Sequence, residues 1–244
     1  MDIVEPLSIE AVDDLRKKVT RFGMAYKFAL EEISTKVNIL KEEFRLIHDY
    51  NPIEHVSTRV KSAESIMNKA HRKGLPLSLG VIKENIRDIA GIRITCSFES
   101  DIYRISEMIQ SQSDVEVIEV KDYIKHPKPN GYRSLHLVLK IPVFMSDRVE
   151  KVYVEMQIRT IAMDFWASLE HKIYYKYDKQ IPGHLTEQLK EAADTVAELD
   201  RKMEHLNHEI NILKENDSQD GIESHAFNPR ELMLEMIRKN HITE

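Results

Sequence analysis

The chain has 244 residues, 42% hydrophobic and 31% charged, with a formal net charge of −6. That length allows one sizeable core with appended helices, or at most two small domains, and the acidic balance argues against general affinity for nucleic acid, so an anion site must be built from local clusters of lysine and arginine. A single cysteine, Cys96, excludes an internal disulfide and fits a reducing cytoplasm, while no apolar run reaches the roughly 20 residues of a membrane span and no signal-peptide pattern opens the chain.

Residues 7–47 predict one long helix. Val12, Leu15, Val19, Phe22, Tyr26, Ala29, Ile33, Val37, Leu40, Phe44 and Ile47 step by threes and fours. Ser8 is an N-cap candidate with Glu10 and Asp13 in the first turn, and Tyr50-Asn51-Pro52 ends the helix. His48-Asp49 invites comparison with His-Asp metal phosphohydrolases, but no nearby histidine supplies a third ligand.

The segment 57–73 predicts a second helix carrying Arg59, Lys61, Lys69, His71, Arg72 and Lys73. At about 100° per residue, Arg59, Lys69 and Arg72 fall near one face, while Lys61 joins them only if the helix begins late. A solvated basic face would carry the same residues. Gly74-Leu75-Pro76 stops this helix.

Residues 86–98 alternate Ile92, Ile94 and Cys96 with Arg93, Thr95 and Ser97, predicting a strand entered through Asp88 and Gly91. An aspartate at the mouth of a strand suits a metal, and a glycine there admits close approach to the backbone. Cys96 reads as a packed thiol. Ser100-Asp101 is expected to cap a short helix to about Gln112, followed by a strand from Val115 to Val120. The segment from Lys121 to His136, KDYIKHPKPNGYRSLH, predicts a cationic loop with a turn at Asn130-Gly131. Tyr132 is expected there as an exposed aromatic beside cations, suited to stacking on a nucleobase. The strand Leu135–Ile141 then sets His136 and Lys140 opposite Leu135, Leu137 and Leu139.

From Val152 to Ile158 the alternation is strict: Val152, Val154, Met156 and Ile158 point one way, and Tyr153, Glu155, Gln157 and Arg159 the other. A carboxylate, an amide and a guanidinium in a row suit a polar cleft. Thr160 is expected to cap a helix on which Ile161, Phe165, Leu169 and Ile173 repeat. After Pro182-Gly183, Leu185, Leu189, Ala192, Val196, Leu199, Met203, Leu206, Ile210 and Leu213 form a heptad seam that must pair with another helix. Residues 216–224 read as a flexible linker and 229–240 as a last amphipathic helix.

The four strands between helices, with long helices at both ends, define an α+β chain. Its expected organisation is an N-terminal oligomerisation helix (1–50), a core (51–180), a heptad helix (181–215) and a linker with a terminal helix (216–244). Asp88 and Glu155 stand on different strands beside cationic segments and one aromatic. Magnesium-assisted phosphoryl transfer needs such a set: two acids for the metal, and cations to offset charges that otherwise repel by about 4 kcal/mol at 4 Å and an effective dielectric near 20. Neither GxxxxGK[ST] nor GxGxxG is present.

RDIAGIR (Arg87 to Arg93), PKPNGYRSLH (Pro127 to His136) and VEMQIRT (Val154 to Thr160) closely resemble the synthetase domain of the RelA/SpoT family, over about residues 20–205. With only about 50 residues ahead of the core and no room for regulatory domains behind, the chain resembles the small alarmone synthetases of that family. The resemblance implies a mixed, nucleotidyltransferase-like sheet flanked by helices. It also implies pyrophosphate transfer from ATP to the 3′-hydroxyl of GTP or GDP, a magnesium cofactor and a homotetramer. The family's magnesium-binding, catalytic acids fall on Asp88 and Glu155, the second also a candidate for activating the hydroxyl. Its ATP-binding residues fall on Arg59, Lys61, Lys69, Arg72 and Arg93, with Arg59 and Arg93 sandwiching adenine. Its guanine-stacking tyrosine falls on Tyr132, with Lys121, Lys128, Asn130, His136, Gln157 and Ala167 around the acceptor. Glu119-Val120-Lys121-Asp122 matches neither charge pattern of the long family members, leaving GTP-versus-GDP preference open. A tRNA-modifying relative and a non-catalytic guanine-nucleotide sensor are the competing readings, and neither nucleic acid nor membrane is expected as a partner.

Overall fold

Strands form where β-branched residues alternate with polar ones: β1 (Ile53–Val60), β2 (Ala90–Cys96), β3 (Glu116–Asp122), β4 (Leu135–Phe144) and β5 (Val149–Thr160). In the computed structural model, which describes residues 8–48, 50–175, 182–219 and Met236, they build one mixed sheet in the order β1-β2-β5-β4-β3. Only β2 and β5 run parallel; the other neighbouring pairs are antiparallel. The helices are α1 (Ile9–Ile47), α2 (Ala63–Arg72), α3 (Leu79–Asn85), α4 (Glu99–Gln110), α5 (Ile161–Tyr175) and α6 (Gly183–Gln219). The α+β class with a mixed sheet flanked by helices and a long N-terminal helix is as expected.

One sheet face is the core. Val152, Val154, Met156 and Ile158 of β5 are all buried, and α1 and α4 both pack against β2 and β5. Ser8 caps α1 by accepting from Ala11 N at 3.2 Å. Beyond its first four turns α1 buries Ala25, Tyr26, Ala29, Ile33, Val37 and Phe44, whereas Ile9, Val12, Leu15 and Val19 stay exposed. Cys96 is a buried free thiol that burial pushes up in pKa, as a packed cysteine should be.

Several expectations need correction. Residues 57–73 are not one helix: Ser57 to Val60 belong to β1, and α2 starts only after Ser62, whose hydroxyl accepts from Ser65 N at 3.2 Å. The alternating run Val56-Ser57-Thr58-Arg59-Val60 favours a strand, and pairing with β2 decides for it. The sheet therefore has five strands, where four were expected. The α4 helix begins at Glu99 after Phe98, and Asp101 reaches back to Phe98 N at 3.2 Å, so it caps from inside the helix.

On α5, Ile161, Phe165, Leu169 and Ile173 do share a stripe, but that stripe faces solvent. Met163, Trp166 and Ala167 are the buried ones. Thr160 caps this helix, accepting from Met163 N at 3.1 Å. The Asn130-Gly131 turn is not a hairpin between strands; it lies within the longer β3–β4 loop, with Gly131 N donating to Lys128 O at 2.8 Å. Gly131 has a φ of 88°, and a Cβ there would fall 2.4 Å from the Ala193 Cβ, so only glycine lets α6 approach.

The chain divides into two compact units at Glu204 and His205. In the first, Ala193 and Ala197 of α6 are buried and Trp166 Nε1 donates to Leu189 O at 3.2 Å, while Leu199 and Met203 are exposed. In the second, α6 carries exposed Leu206, Ile210 and Leu213 and continues to Gln219, so the first residues of the expected linker are helical. Asp49, residues 220–224 and, except for Met236, the 229–240 helix lie outside the described residues. Among the described residues no helix is long and apolar enough to cross a membrane.

Candidate active site

Pairing registers assemble the site on the other face of the sheet. Residues directly opposite one another in neighbouring strands point to the same side. One rung runs Arg59–Gly91–Glu155–Val138–Glu119 across all five strands. The next runs Ser57–Arg93–Gln157–His136–Lys121. Six of the residues singled out from the sequence thus line up in two adjacent rows.

Asp88 sits just before β2, and its Oδ2 accepts from Lys61 Nζ at 2.7 Å and Lys69 Nζ at 2.6 Å. Lys61 gets there because α2 starts late, placing it at the end of β1 with its backbone N on Ile89 O at 2.7 Å. Burial pushes the Asp88 carboxyl up, but the two lysines outweigh it and hold it below the usual carboxylate range. The second oxygen, Oδ1, is buried with no hydrogen-bond partner. A buried anionic oxygen left bare costs free energy unless a cation completes it, so the residues present fit magnesium. That ion typically takes one or two carboxylates and completes its shell with water and substrate phosphates. Among the described residues no cluster of three or more His, Cys, Asp or Glu forms a closed protein cage.

Glu155 is held from two sides. Its Oε2 accepts from Gln157 Nε2 at 2.8 Å, and its Oε1 lies 3.6 Å from His136 Nδ1. Burial alone would raise its pKa, but His136 and Gln157 bring it below the ordinary value. Burial lowers the pKa of His136 against the opposing pull of Glu155.

From Gln157 the contacts continue into a ring. Gln157 Oε1 accepts from Arg159 at 2.7 Å, the same guanidinium donates to Tyr132 Oη, and Tyr132 Oη meets His136 Nε2 at 2.8 Å. Tyr132 is therefore half-buried, not exposed as expected, because its hydroxyl is anchored between Arg159 and His136. Lys128 Nζ stands 4.6 Å and the Arg159 guanidinium carbon 5.0 Å from its ring centroid. Asn130 Oδ1 accepts from Tyr132 N at 3.2 Å, fixing the turn that presents the ring. Ala167 is buried with Trp166 and Ala193 in a small apolar cluster against which Tyr132 packs.

Two cavities meet at the acids. One of about 330 Å³ is lined by Lys69, Lys73, Arg87 and Lys121, the other of about 180 Å³ by Arg59, Gly91, Arg93 and Gln157, and both include Asp88 and Glu155. Arg72 is exposed on the last turn of α2, and neither lining includes it. Arg159, which the sequence placed on the polar face without a nucleotide contact, and Asp164, which it did not single out, lie inside this network: Asp164 Oδ1 is 3.1 Å from Arg93 NH1 and 3.2 Å from Arg159 NH1. The signal for Arg159 was present, since it continues the inward-polar alternation of Glu155 and Gln157. Asp164 had none.

A sheet carrying two acids between cation-lined cavities, beside an anchored aromatic ring, is the site of an enzyme that handles nucleotide phosphates. The chain belongs to the RelA/SpoT family: the model of the region found in RelA / SpoT proteins matches residues 58–180. It is 52% identical over 207 residues to the GTP pyrophosphokinase YwaC of Bacillus subtilis, covering 84% of this chain and 99% of the relative. Among solved structures it is similar to the small alarmone synthetase 1 of Bacillus subtilis bound to its product pppGpp, with 39% identity, a TM-score of 0.74, and coverage of 80% of this chain and 98% of that one. The same protein bound to AMPCPP matches with 36% identity and a TM-score of 0.68, covering 80% and 98%.

Proposed function

We infer that the chain is a GTP diphosphokinase, transferring the pyrophosphoryl group of ATP to the 3′-hydroxyl of GTP or GDP to give pppGpp or ppGpp. The observation that carries this reading is the pair Asp88 and Glu155 at the junction of two cation-lined cavities, with one Asp88 oxygen bare. The names and bound nucleotides of the similar proteins support it.

In the proposed arrangement Arg59 and Arg93 flank adenine, and Tyr132 stacks on guanine with Lys121, Lys128, Asn130, His136, Gln157 and Ala167 around the acceptor. Lys61 and Lys69, together with Arg72, turn to the triphosphate when it arrives, releasing Asp88. Magnesium held by Asp88 and Glu155 would offset phosphate charge as the β-phosphorus changes partner. The acceptor oxygen bonds to that phosphorus, the bond to the bridging oxygen breaks, and AMP leaves. Glu155, kept ionised by its neighbours, accepts the hydroxyl proton. Purified protein with magnesium, labelled ATP and GTP, GDP or tRNA, with products separated by chromatography, tests this. AMP and labelled pppGpp or ppGpp are expected; label on tRNA alone, or on no guanine nucleotide, would overturn it.

We also propose a cytoplasmic homotetramer assembled through the exposed apolar residues of α1 and α6. Light scattering should give a multiple of the 28.5 kDa chain mass, and replacing Leu199 and Leu206 together by Asp should split the assembly. A wild-type monomer at micromolar concentration would sink it.

A further inference from the structure

Asp164 has no place in the nucleotide contacts assigned above, yet its carboxylate stands between them. It lies in the first turn of α5. One oxygen, Oδ1, takes Arg93 NH1 from β2 at 3.1 Å and Arg159 NH1 from β5 at 3.2 Å. Arg159 passes the contact on, since its other terminal nitrogen donates to Tyr132 Oη and to Gln157 Oε1. Arg93 Nε is buried with no hydrogen-bond partner, and its NH1 is ion-paired with Asp164. Burial and the nearby Arg159 both lower the Arg93 pKa and Asp164 opposes them, as expected of an anion shared by two like charges.

We propose that Asp164 is a positioning residue that couples the two nucleotide sites, so that each nucleotide makes the other bind more tightly. The inference rests on the reading that adenine sits at Arg93 and guanine at Tyr132. Holding a long side chain in one rotamer costs conformational entropy. A nucleotide that fixes Arg93 also fixes the Asp164 oxygen, and with it Arg159 and the hydroxyl of Tyr132. The second nucleotide then meets a ring already in place. Linkage makes the effect reciprocal: guanine held against Tyr132 orders Arg93 for adenine by the same factor.

The test is calorimetric titration of GDP in magnesium buffer, with and without a saturating non-hydrolysable methylene analogue of ATP, and the converse titration. Wild-type protein should bind GDP at least about five-fold more tightly with the analogue present, the low end of common coupling. Asp164→Asn, which keeps the shape and removes the charge, should bring that ratio close to one. Asp164→Glu, which moves the carboxylate by one methylene, should retain part of it. A ratio in Asp164→Asn equal to the wild-type one overturns the proposal, as does a wild-type ratio of one. A purely structural role would lower the melting temperature or weaken both nucleotides equally while leaving the ratio intact, which also counts against it. Should Asp164→Asn fail to fold, undiminished coupling in Asp164→Glu overturns the proposal instead. Two further variants separate this from the site assignment: Arg93→Ala should weaken the ATP analogue and Tyr132→Ala should weaken GDP. If those two effects are exchanged, the assignment fails whatever Asp164 does.

Discussion

The two ends of the active-site face are built on opposite principles. Around Asp88, charge sits directly on charge: Lys61 and Lys69 both rest on one Asp88 oxygen while the other oxygen has no partner. Around Tyr132, Glu155, Gln157, Arg159, Tyr132 and His136 form a closed ring in which most polar groups already have partners. The difference shows where binding must rearrange the protein. In the proposed arrangement a triphosphate and magnesium would redistribute the two lysines and in return satisfy the bare oxygen. In the same arrangement a guanine would meet a ring whose contacts already exist, so it would have few bonds to rearrange and would chiefly hold them in one geometry.

The sharpest way to break this comparison is to remove the charges at its centre. Asp88→Asn or Glu155→Gln should each reduce synthesis more than ten-fold, a loss above about 1.4 kcal/mol, with the fold retained by circular dichroism. Residual activity above a tenth of wild type in either variant would count heavily against the two acids. Next in size, Tyr132→Ala should raise KM for GTP and GDP far more than for ATP, by about 1–3 kcal/mol of lost stacking. Tyr132→Phe keeps the ring and loses only the hydroxyl contacts, so its effect should be about 0.5–1.5 kcal/mol. An equal effect of the two variants would mean that the hydroxyl network, not the ring face, is what matters.

A pH signature lies away from the acids. Burial pushes the Glu150 carboxyl up, but Lys83 at 2.7 Å and Arg148 at 3.3 Å outweigh it and leave the pKa below the ordinary value. With the folded pKa depressed, its contribution is fully present above the unfolded value of about 4.3 and is lost as pH falls through the lower folded value. Urea unfolding across that range should show the loss in the wild type and a flatter profile in Glu150→Gln. The smallest expected effect is at Asp200, which accepts from the Thr160 hydroxyl at the β5–α5 corner. Burial, with Glu204 one helical turn on, raises its pKa. A raised carboxyl pKa opposes folding above that value and ceases to do so as pH falls through it. Asp200→Asn should therefore stabilise the protein at pH 7 by about 0.2–0.5 kcal/mol, the scale of a like-charge pair on a helix. That gain should fade in acid, and a loss of stability at pH 7 would show that the Thr160 contact needs the charge.

Much of this was written locally. The alternation of β2 and β5 states which side chains share a face, because a strand turns every second residue the same way. Ser8 and Thr160 mark helix starts because their hydroxyls satisfy backbone N–H groups nearby in sequence. The same local rules could not say which of two apolar stripes on α5 would be covered, since both have helical spacing and only neighbouring elements distinguish them. Nor did they settle β1, where the alternation from Val56 to Val60 competes with a helical reading of the basic residues; it is an edge strand whose sole buried residue is Ile53, and pairing with β2 decides it. The convergence of Lys61 and Lys69 on Asp88, and of Arg93 and Arg159 on Asp164, came from tertiary structure alone. Each joins residues from different elements, and a contact closed by strand pairing and helix packing leaves no period in the sequence by which to read it.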